Sequence, residues 1–258
     1  MFKNLIVKDK FAQFDLNENH HLFHCFSIIS AGNMSYSWGE KEEVDINIEN
    51  FYRLIETDRK KRISILPQHK NKIVIVDERD SGKTLECDGL ITESQNIALS
   101  LCPADCVPII ITNKESRDNN FVSLIHAGAR STNLKIVKKA INLIACYFDV
   151  KPSQLLVLIG PGIHKCCYNS WKMAIRLLIN PSWRHDINGF YIDLINQNKK
   201  QIQGSGVLED NIIIASECTC CKYDENNKNY LFFSHNRSKK IIDKKEGRLV
   251  SIVSLKTD

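Results

Sequence analysis

Short runs of β-branched and aromatic residues recur along the chain, each closed by a polar or turn-forming residue, and they predict strands over 22–29, 63–66, 72–76, 97–101, 107–112, 121–125, 155–159, 212–215, 231–234 and 249–255. A different spacing appears over 134–148. There Leu134, Val137, Ile141 and Ile144 recur at steps of three and four with lysines between them, the pattern of an amphipathic helix. Further helices are expected over 46–56, 170–179 and 194–203. Strands and helices interleave from one end to the other, which predicts a mixed α/β layer fold. No long linker interrupts the pattern and no internal repeat stands out, so 1–258 reads as one domain. The polar stretches 113–120 and 224–229 read as surface loops.

Composition adds limits. A chain of 258 residues with 43% hydrophobic content can bury a substantial core. Lys plus Arg number 35 against 30 Asp plus Glu, a formal charge of +5 that does not by itself imply a nucleic-acid partner. The basic runs RKKR (59–62) and SKKIIDKK (238–245) contain or adjoin acids and read as solvated surface. Ten cysteines could suggest a disulfide framework, but the opening MFKNLIVKDKFAQFD is charged where a signal peptide needs an apolar stretch. Reduced thiols in a cytoplasmic protein are the expectation. Apolar runs such as LLVLIG fall far short of a membrane span.

Candidate chemistry begins with two segments, PADCVPIII and SLIHAGAR, each with a polar residue at the end of an apolar run. Cys106 and His126 are thereby expected near the ends of neighbouring strands, and His69 in ISILPQHKNKIVIV is a third candidate. Two imidazoles and a thiolate match the preferences of Zn²⁺ and leave a fourth position open. A buried Cys is more often a small hydrophobe and a strand-end His merely hydrogen-bonded, and this spacing is no compact metal motif. At the level of residues both readings stand.

PADCVPIII, SLIHAGAR, LIGPGIHKCCYNS, GFYIDL and CTCCKYDENNKNYLFFSHNRSKKIIDKKEGR occur in the order and approximate spacing of the YfiH-like family, also called laccase-domain or polyphenol oxidase proteins and peptidoglycan editing factors. The chain resembles that family over essentially its whole length. The resemblance implies a four-layer α-β-β-α fold with pseudo-duplicated halves, similar to cytotoxic necrotizing factor deamidase domains. It also implies one zinc ion on His69, Cys106 and His126. The match is specific at the last two and looser at His69, where Gln68 directly precedes the His.

Around that set, Asp88 in CDGLIT matches a family segment that could support the site, and Asp105 is either an acceptor orienting a ligand imidazole or a turn residue. Arg130 has a fork of donors suited to phosphate, or is a surface Arg; the family context favours the first. Asn33 and Ser35 match a serine-containing substrate segment, although the family's nearby Arg is absent here. His235 and Arg237 match a segment that approaches the active site, from the same or a neighbouring subunit, which leaves a homodimer open. Ala129 stands where the family has Trp and Ser131 where it commonly has Gly, and a missing aromatic wall would alter which ring the pocket accepts. GPG at 160–162 suits a phosphate cradle or a tight turn equally. Cys166, Cys167 and the CTCC run at 218–221 are expected to be structural, since adjacent cysteines on an extended chain point apart.

The functions implied are zinc-dependent phosphorolysis of adenosine, inosine, guanosine and methylthioadenosine, and adenosine deamination, with purine nucleosides and phosphate as partners. Copper was assigned to the family historically, but a laccase cluster needs many His ligands and the chain has eight, three of them within 20–24. A metal-free Cys106–His126 hydrolase or amidase acting in peptidoglycan editing, and a non-catalytic zinc-containing interaction module, are the competing classes.

Overall fold

The computed structural model describes residues 1–16, 20–115, 120–225, 228–240 and 246–256. Parts of the expected loops 113–120 and 224–229 and of the basic run 238–245 lie outside the described residues. The strands of the two large sheets are β1 (Phe2–Lys3), β2 (Ile6–Lys8), β3 (Phe11–Gln13), β4 (Leu22–Ser27), β5 (Arg62–Leu66), β6 (Ile73–Ile75), β7 (Thr84–Glu86), β8 (Gly89–Thr92), β9 (Ala98–Leu101), β10 (Val107–Asn113), β11 (Val122–Ala127), β12 (Leu155–Ile159), β13 (Ile212–Ala215) and β14 (Ser251–Leu255). The helices are α1 (Lys41–Leu54), α2 (Ala129–Asn133), α3 (Ile136–Tyr147), α4 (Trp171–Leu178), α5 (Leu194–Gln203) and α6 (His235–Ser238). One seven-stranded sheet has the order β1-β13-β12-β10-β11-β8-β6, the other β2-β3-β4-β14-β9-β5-β7.

Three apolar clusters fill the spaces between four layers. Ile109, Ile111, Val157 and Ile212 on one face of the first sheet pack with Ile141, Leu177 and Ile202 of the helices. On its other face Ile110, Leu156, Leu158 and Ile213 meet Phe26, Leu99 and Val253 of the second sheet. Cys25, Ala98 and Ile252 on the far face of the second sheet pack with Val44, Ile48 and Phe51 of α1. Successive residues of β10, β12 and β13 thus alternate between two cores, as the two-residue period of a strand requires, and strands buried on both faces read as unbroken apolar runs. The resulting α-β-β-α layering is the expected mixed α/β fold. Among the described residues no helix is long and apolar enough to cross a membrane.

The chain departs from the expected elements in several places, the unexpected short strand β7 and short helices α2 and α6 among them. Helix α1 starts at Lys41 rather than 46, because its first turn, Lys41-Glu42-Glu43, faces solvent and its apolar stripe begins only at Val44. Residues 231–234 form no strand: Leu231 and Phe232 are buried, but Ser234 caps α6 by accepting the Arg237 N–H at 3.1 Å. Strand β8 escapes a propensity reading because it opens on glycine. Gly89 lets the strands pack closely there, since a Cβ would fall 2.6 Å from Ile125 Cδ1 and 3.1 Å from Ile73 Cγ1. The short strands β1 to β3 carry too little pattern to read.

Strand direction fixes where the site forms. β5, β7 and β9 are mutually parallel in the second sheet, and β6 is parallel to β8 in the first. β11 is antiparallel to both β8 and β10, so β10 also runs with β8. Between 62 and 113 the chain alternates from sheet to sheet, and every passage from the second sheet into the first lies at one end of the sandwich. β4 delivers its C-terminus to that end too, being antiparallel to β14, itself antiparallel to β9. Leu158→Ala should test the inter-sheet core: deleting this fully buried side chain is expected to cost about 2–5 kcal/mol, read as a lower urea midpoint with an unchanged slope.

Candidate active site and metal centre

Each of the three passages from the second sheet into the first carries one chemistry-bearing residue. His69 lies between β5 and β6, Asp88 between β7 and β8, and Cys106 between β9 and β10. His126, near the end of β11, pairs with Pro108, which places it against Cys106 at the start of β10. Its neighbours Ile125 and Ala127 face the helices, so His126 faces the gap between the sheets. The ligand atoms of His69, Cys106 and His126 all lie within 4.8 Å of one another. The two imidazoles stand nearly perpendicular, with ring centroids 4.8 Å apart.

Asp88 organises this set. Its fully buried carboxylate accepts the backbone N–H groups of His69 and Lys70, both at 2.8 Å, and contacts His126 Nδ1 at 3.0 Å. The first two bonds hold His69 in a left-handed conformation, φ 54°, that a non-glycine residue adopts only under constraint. The third leaves Nε2 of His126 for whatever lies beside the thiol. Burial pushes the Asp88 pKa up, but hydrogen bonds from His126, Lys70 and His69 hold it below the usual carboxylate range.

Cys106 and His126 shift together. Burial raises the thiol pKa, yet the charge and hydrogen bond of His126, joined by His69, bring it down to about 6. Burial lowers His126, but the Cys106 thiolate and Asp88 carry it up to about 9. The metal-free site is therefore a thiolate beside an imidazolium, and a divalent cation would take the place of the shared positive charge. Two nitrogens and one thiolate converging from two loops and the end of a strand, with one imidazole pinned from behind by a carboxylate, fit zinc. Gly128 closes the back: a Cβ there would sit 2.9 Å from Cys106 Sγ and 3.4 Å from His69 Cδ2.

The three residues open into a cleft of about 510 Å³, a volume typical of small-molecule sites. Ser35, Trp38, Arg62, His235 and Arg248 line its other walls. The Arg248 guanidinium lies over the Trp38 ring, 4.2 Å from its centroid, and donates to Glu246 Oε1 at 3.0 Å. Glu246 also accepts a hydrogen bond from His235 Nδ1. Burial raises the Glu246 pKa, but these two partners hold it below its ordinary value. Sequence reasoning missed Trp38, Arg62 and Arg248. Arg248 stood in a recognised segment without a role, and only the antiparallel pairing of β14 with β4 brings it beside Trp38.

Other candidates take different places. Asn33 is buried and spent on backbone: its Oδ1 accepts from the N–H groups of Ser35 at 3.1 Å and Arg248 at 2.9 Å, and its Nδ2 donates to the Ser35 carbonyl. It braces the cleft wall rather than facing it. Arg237 is buried, donates to the carbonyls of Thr219, Cys220 and Phe232, and stacks 4.0 Å from the Tyr230 centroid. Its donors hold the fold together. Arg130 is exposed on α2 and, among the described residues, makes no side-chain hydrogen bond or ion pair. His235 reaches the cleft of its own chain.

Asp105 orients no imidazole. Its carboxylate accepts from Thr219 Oγ1 at 2.8 Å and the Asn236 N–H at 2.6 Å, at a turn with φ 80°. In GPG, a Cβ on Gly160 would meet Phe26 and one on Gly162 would meet Val107, each at 2.7 Å, so both glycines serve close packing. Ala129 is buried in the core between the first sheet and the helices and does not line the cleft. The hydroxyl of Ser131 accepts the Gly128 N–H at 3.2 Å.

Residues 26–256 match the family model described as multi-copper polyphenol oxidoreductase laccase. The purine nucleoside phosphorylase YlmD of Geobacillus stearothermophilus is 34% identical over 160 residues, 59% of this chain but only 55% of that relative. A purine nucleoside phosphorylase of Clostridium acetobutylicum is 26% identical over 97% of this chain and 98% of its own length. The crystal structure of YlmD from Geobacillus stearothermophilus is similar in fold, with a TM-score of 0.83 at 24% identity over 98% of both chains. That of the Bacillus licheniformis hypothetical protein YfiH gives 0.80 at 23% identity, over 96% of this chain and 97% of the other.

Two measurements probe the site. In metal-free protein, alkylation of Cys106 followed by mass spectrometry should reach half its maximal rate near pH 6, against about 8.5 for an ordinary thiol; an ordinary midpoint would refute the thiolate–imidazolium pair. Asp88→Asn offers one acceptor oxygen where three donors converge, and should weaken zinc binding roughly 10- to 100-fold in chelator competition. The stability Asp88 contributes is complete above its unfolded pKa near 3.9 and is lost as pH falls toward its lower folded value.

Proposed function

The chain belongs to the multi-copper polyphenol oxidoreductase laccase family, and within it we propose that this protein is a zinc-dependent purine nucleoside phosphorylase that also deaminates adenosine. The observation that carries the reading is the convergence of His69, Cys106 and His126 at the floor of a cleft walled by Trp38, Arg62 and Arg248. The names of the relatives, purine nucleoside phosphorylases, support the substrate class. A multi-copper centre fits the donors poorly: among the described residues two imidazoles join Cys106 in the cluster, while His20, His21 and His24 sit at or just before the start of β4, at the opposite end of the sandwich.

His69, Cys106 and His126 would hold the zinc, and a bound zinc supplies Lewis-acid polarisation of an oxygen at the cleft floor. The chain's own residues account for the rest. Arg248 and Arg62 neutralise a phosphate dianion and hold it by charge-assisted hydrogen bonds. Trp38 offers an apolar face to the purine. In phosphorolysis a phosphate oxygen forms a bond to ribose C1′ as the C1′–N9 bond breaks, its electron pair leaving with the base. That base needs a proton. His235, held through Nδ1 by Glu246 and lining the cleft, would give one from its other ring nitrogen. In deamination water adds at C6 of adenine and ammonia leaves, giving inosine without phosphate.

Asp88, His126 and Cys106 also line up as carboxylate, imidazole and thiol, the arrangement of a Cys–His hydrolase. His69 favours the metal, because a third donor within reach of both others has no part in a triad.

Purified protein given inosine should release hypoxanthine and ribose 1-phosphate only when phosphate is present, and adenosine should yield inosine and ammonia without it. Absence of turnover after zinc repletion would remove the proposal. Arg248→Ala should lower kcat/KM for phosphorolysis by roughly 10- to 100-fold, the worth of about 1.5–3 kcal/mol for a charged hydrogen bond, while deamination, which needs no anion, falls less.

A further inference from the structure

Beyond the cleft, the fold gathers four further thiols that the proposed reaction does not use. The sulfurs of Cys166, Cys167, Cys218 and Cys221 all lie within 4.8 Å of one another. Cys166 Sγ is 3.7 Å from Cys167 Sγ and 3.8 Å from Cys221 Sγ. A tetrahedral zinc with Zn–S bonds of about 2.3 Å sets its sulfurs about 3.8 Å apart. A disulfide would bring one pair to about 2.05 Å; two nearly equal contacts from Cys166 suit a shared centre instead.

The expectation that adjacent cysteines diverge holds on a strand, and these lie in turns. Cys167 and Tyr168 both donate their N–H to the His164 carbonyl, which folds 164–168 back on itself and puts both thiols on one side. The Lys222 N–H donates to the Cys218 carbonyl at 3.0 Å, closing a C-x-x-C turn of the kind that binds zinc. The His164 N–H points at Cys218 Sγ from 3.3 Å, a donor that stabilises a ligating thiolate. Cys218 is buried, Cys167 half-buried, and Cys166 and Cys221 exposed, so an ion can enter from solvent.

We infer that Cys166, Cys167, Cys218 and Cys221 form a second, structural zinc site that clips the 164–168 turn to the 218–222 turn. Four protein thiolates complete the shell and leave no place for substrate. The clip stands behind the candidate active site. Thr219 and Asn236 hold the two oxygens of Asp105, directly before Cys106, and Asn236 Nδ2 also donates to the Cys167 carbonyl at 2.9 Å. The inference does not depend on the phosphorylase reading.

Protein purified with reductant and without chelator should carry about two equivalents of zinc, falling to about one in Cys106→Ala and about one in the Cys218→Ser/Cys221→Ser pair. X-ray absorption on zinc-bearing Cys106→Ala should show an all-sulfur shell near 2.3 Å. In the wild-type protein, which needs no variant to fold, the four cysteines should resist a thiol reagent until a chelator is added. Free labelling of all four without chelator, a Cys166–Cys221 disulfide found by mass spectrometry, or a folded Cys106→Ala protein without metal would each overturn the inference.

Discussion

One buried carboxylate holds the candidate site together. Asp88 has no exposure to water, and a carboxylate in that position survives only where donors replace its hydration. Two come from the backbone at His69 and Lys70 and one from the His126 ring, so a single side chain ties a loop leaving the second sheet to a strand end in the first. Its charge favours the His126 imidazolium, which in turn sustains the Cys106 thiolate, and the three donors stand close together where a cation could replace that positive charge. The same bonds place His69 in a backbone conformation it would otherwise avoid. Breaking them disturbs geometry and electrostatics together.

The topology explains why such distant residues meet. A sheet-to-sheet zigzag with parallel strands returns to the same end of the sandwich at each second passage, so residues near 69, 88 and 106 are stacked there without any local motif joining them. The antiparallel partner β11 adds His126 to that end, and β4 and β14 add Trp38 and Arg248. Close packing follows from the same convergence. Gly128, Gly160 and Gly162 sit where loops from different layers pass within van der Waals contact, and a methyl group on any of them would collide with a neighbour.

Charge is divided by task. Arg237, the most deeply committed cation of this end, is buried against three carbonyls and an aromatic ring, while Arg248 rests on Trp38 at the cleft wall with part of its fork held by Glu246. Burial with complete hydrogen bonding makes the first a brace. Its place in the cleft wall suits the second to the anion-binding role proposed for it. The thiol cluster, Asp105, Asn236 and Arg237 form one connected scaffold on the far side of Cys106, which separates holding the site from performing its chemistry.

Much of this was legible in the chain. Apolar runs gave the strands of both central layers, because strands covered on two faces need no polar alternation. The residues PADC, HAGAR and CDG pointed to Cys106, His126 and Asp88 by resemblance. Strand β8 was hidden by its glycine, the start of α1 by its solvent-facing first turn, and the thiol cluster by the assumption of extended backbone, since local pattern reports burial and not turn geometry. By itself the sequence determined most strands and helices, their interleaving and the residue types offered to a ligand, because side-chain polarity and period are properties of short segments; the layering came only from the resemblance. Which arginines face the cleft, what Asp88 holds, and that four thiols come together were decided only by tertiary structure, because each depends on how segments far apart in the chain run past one another.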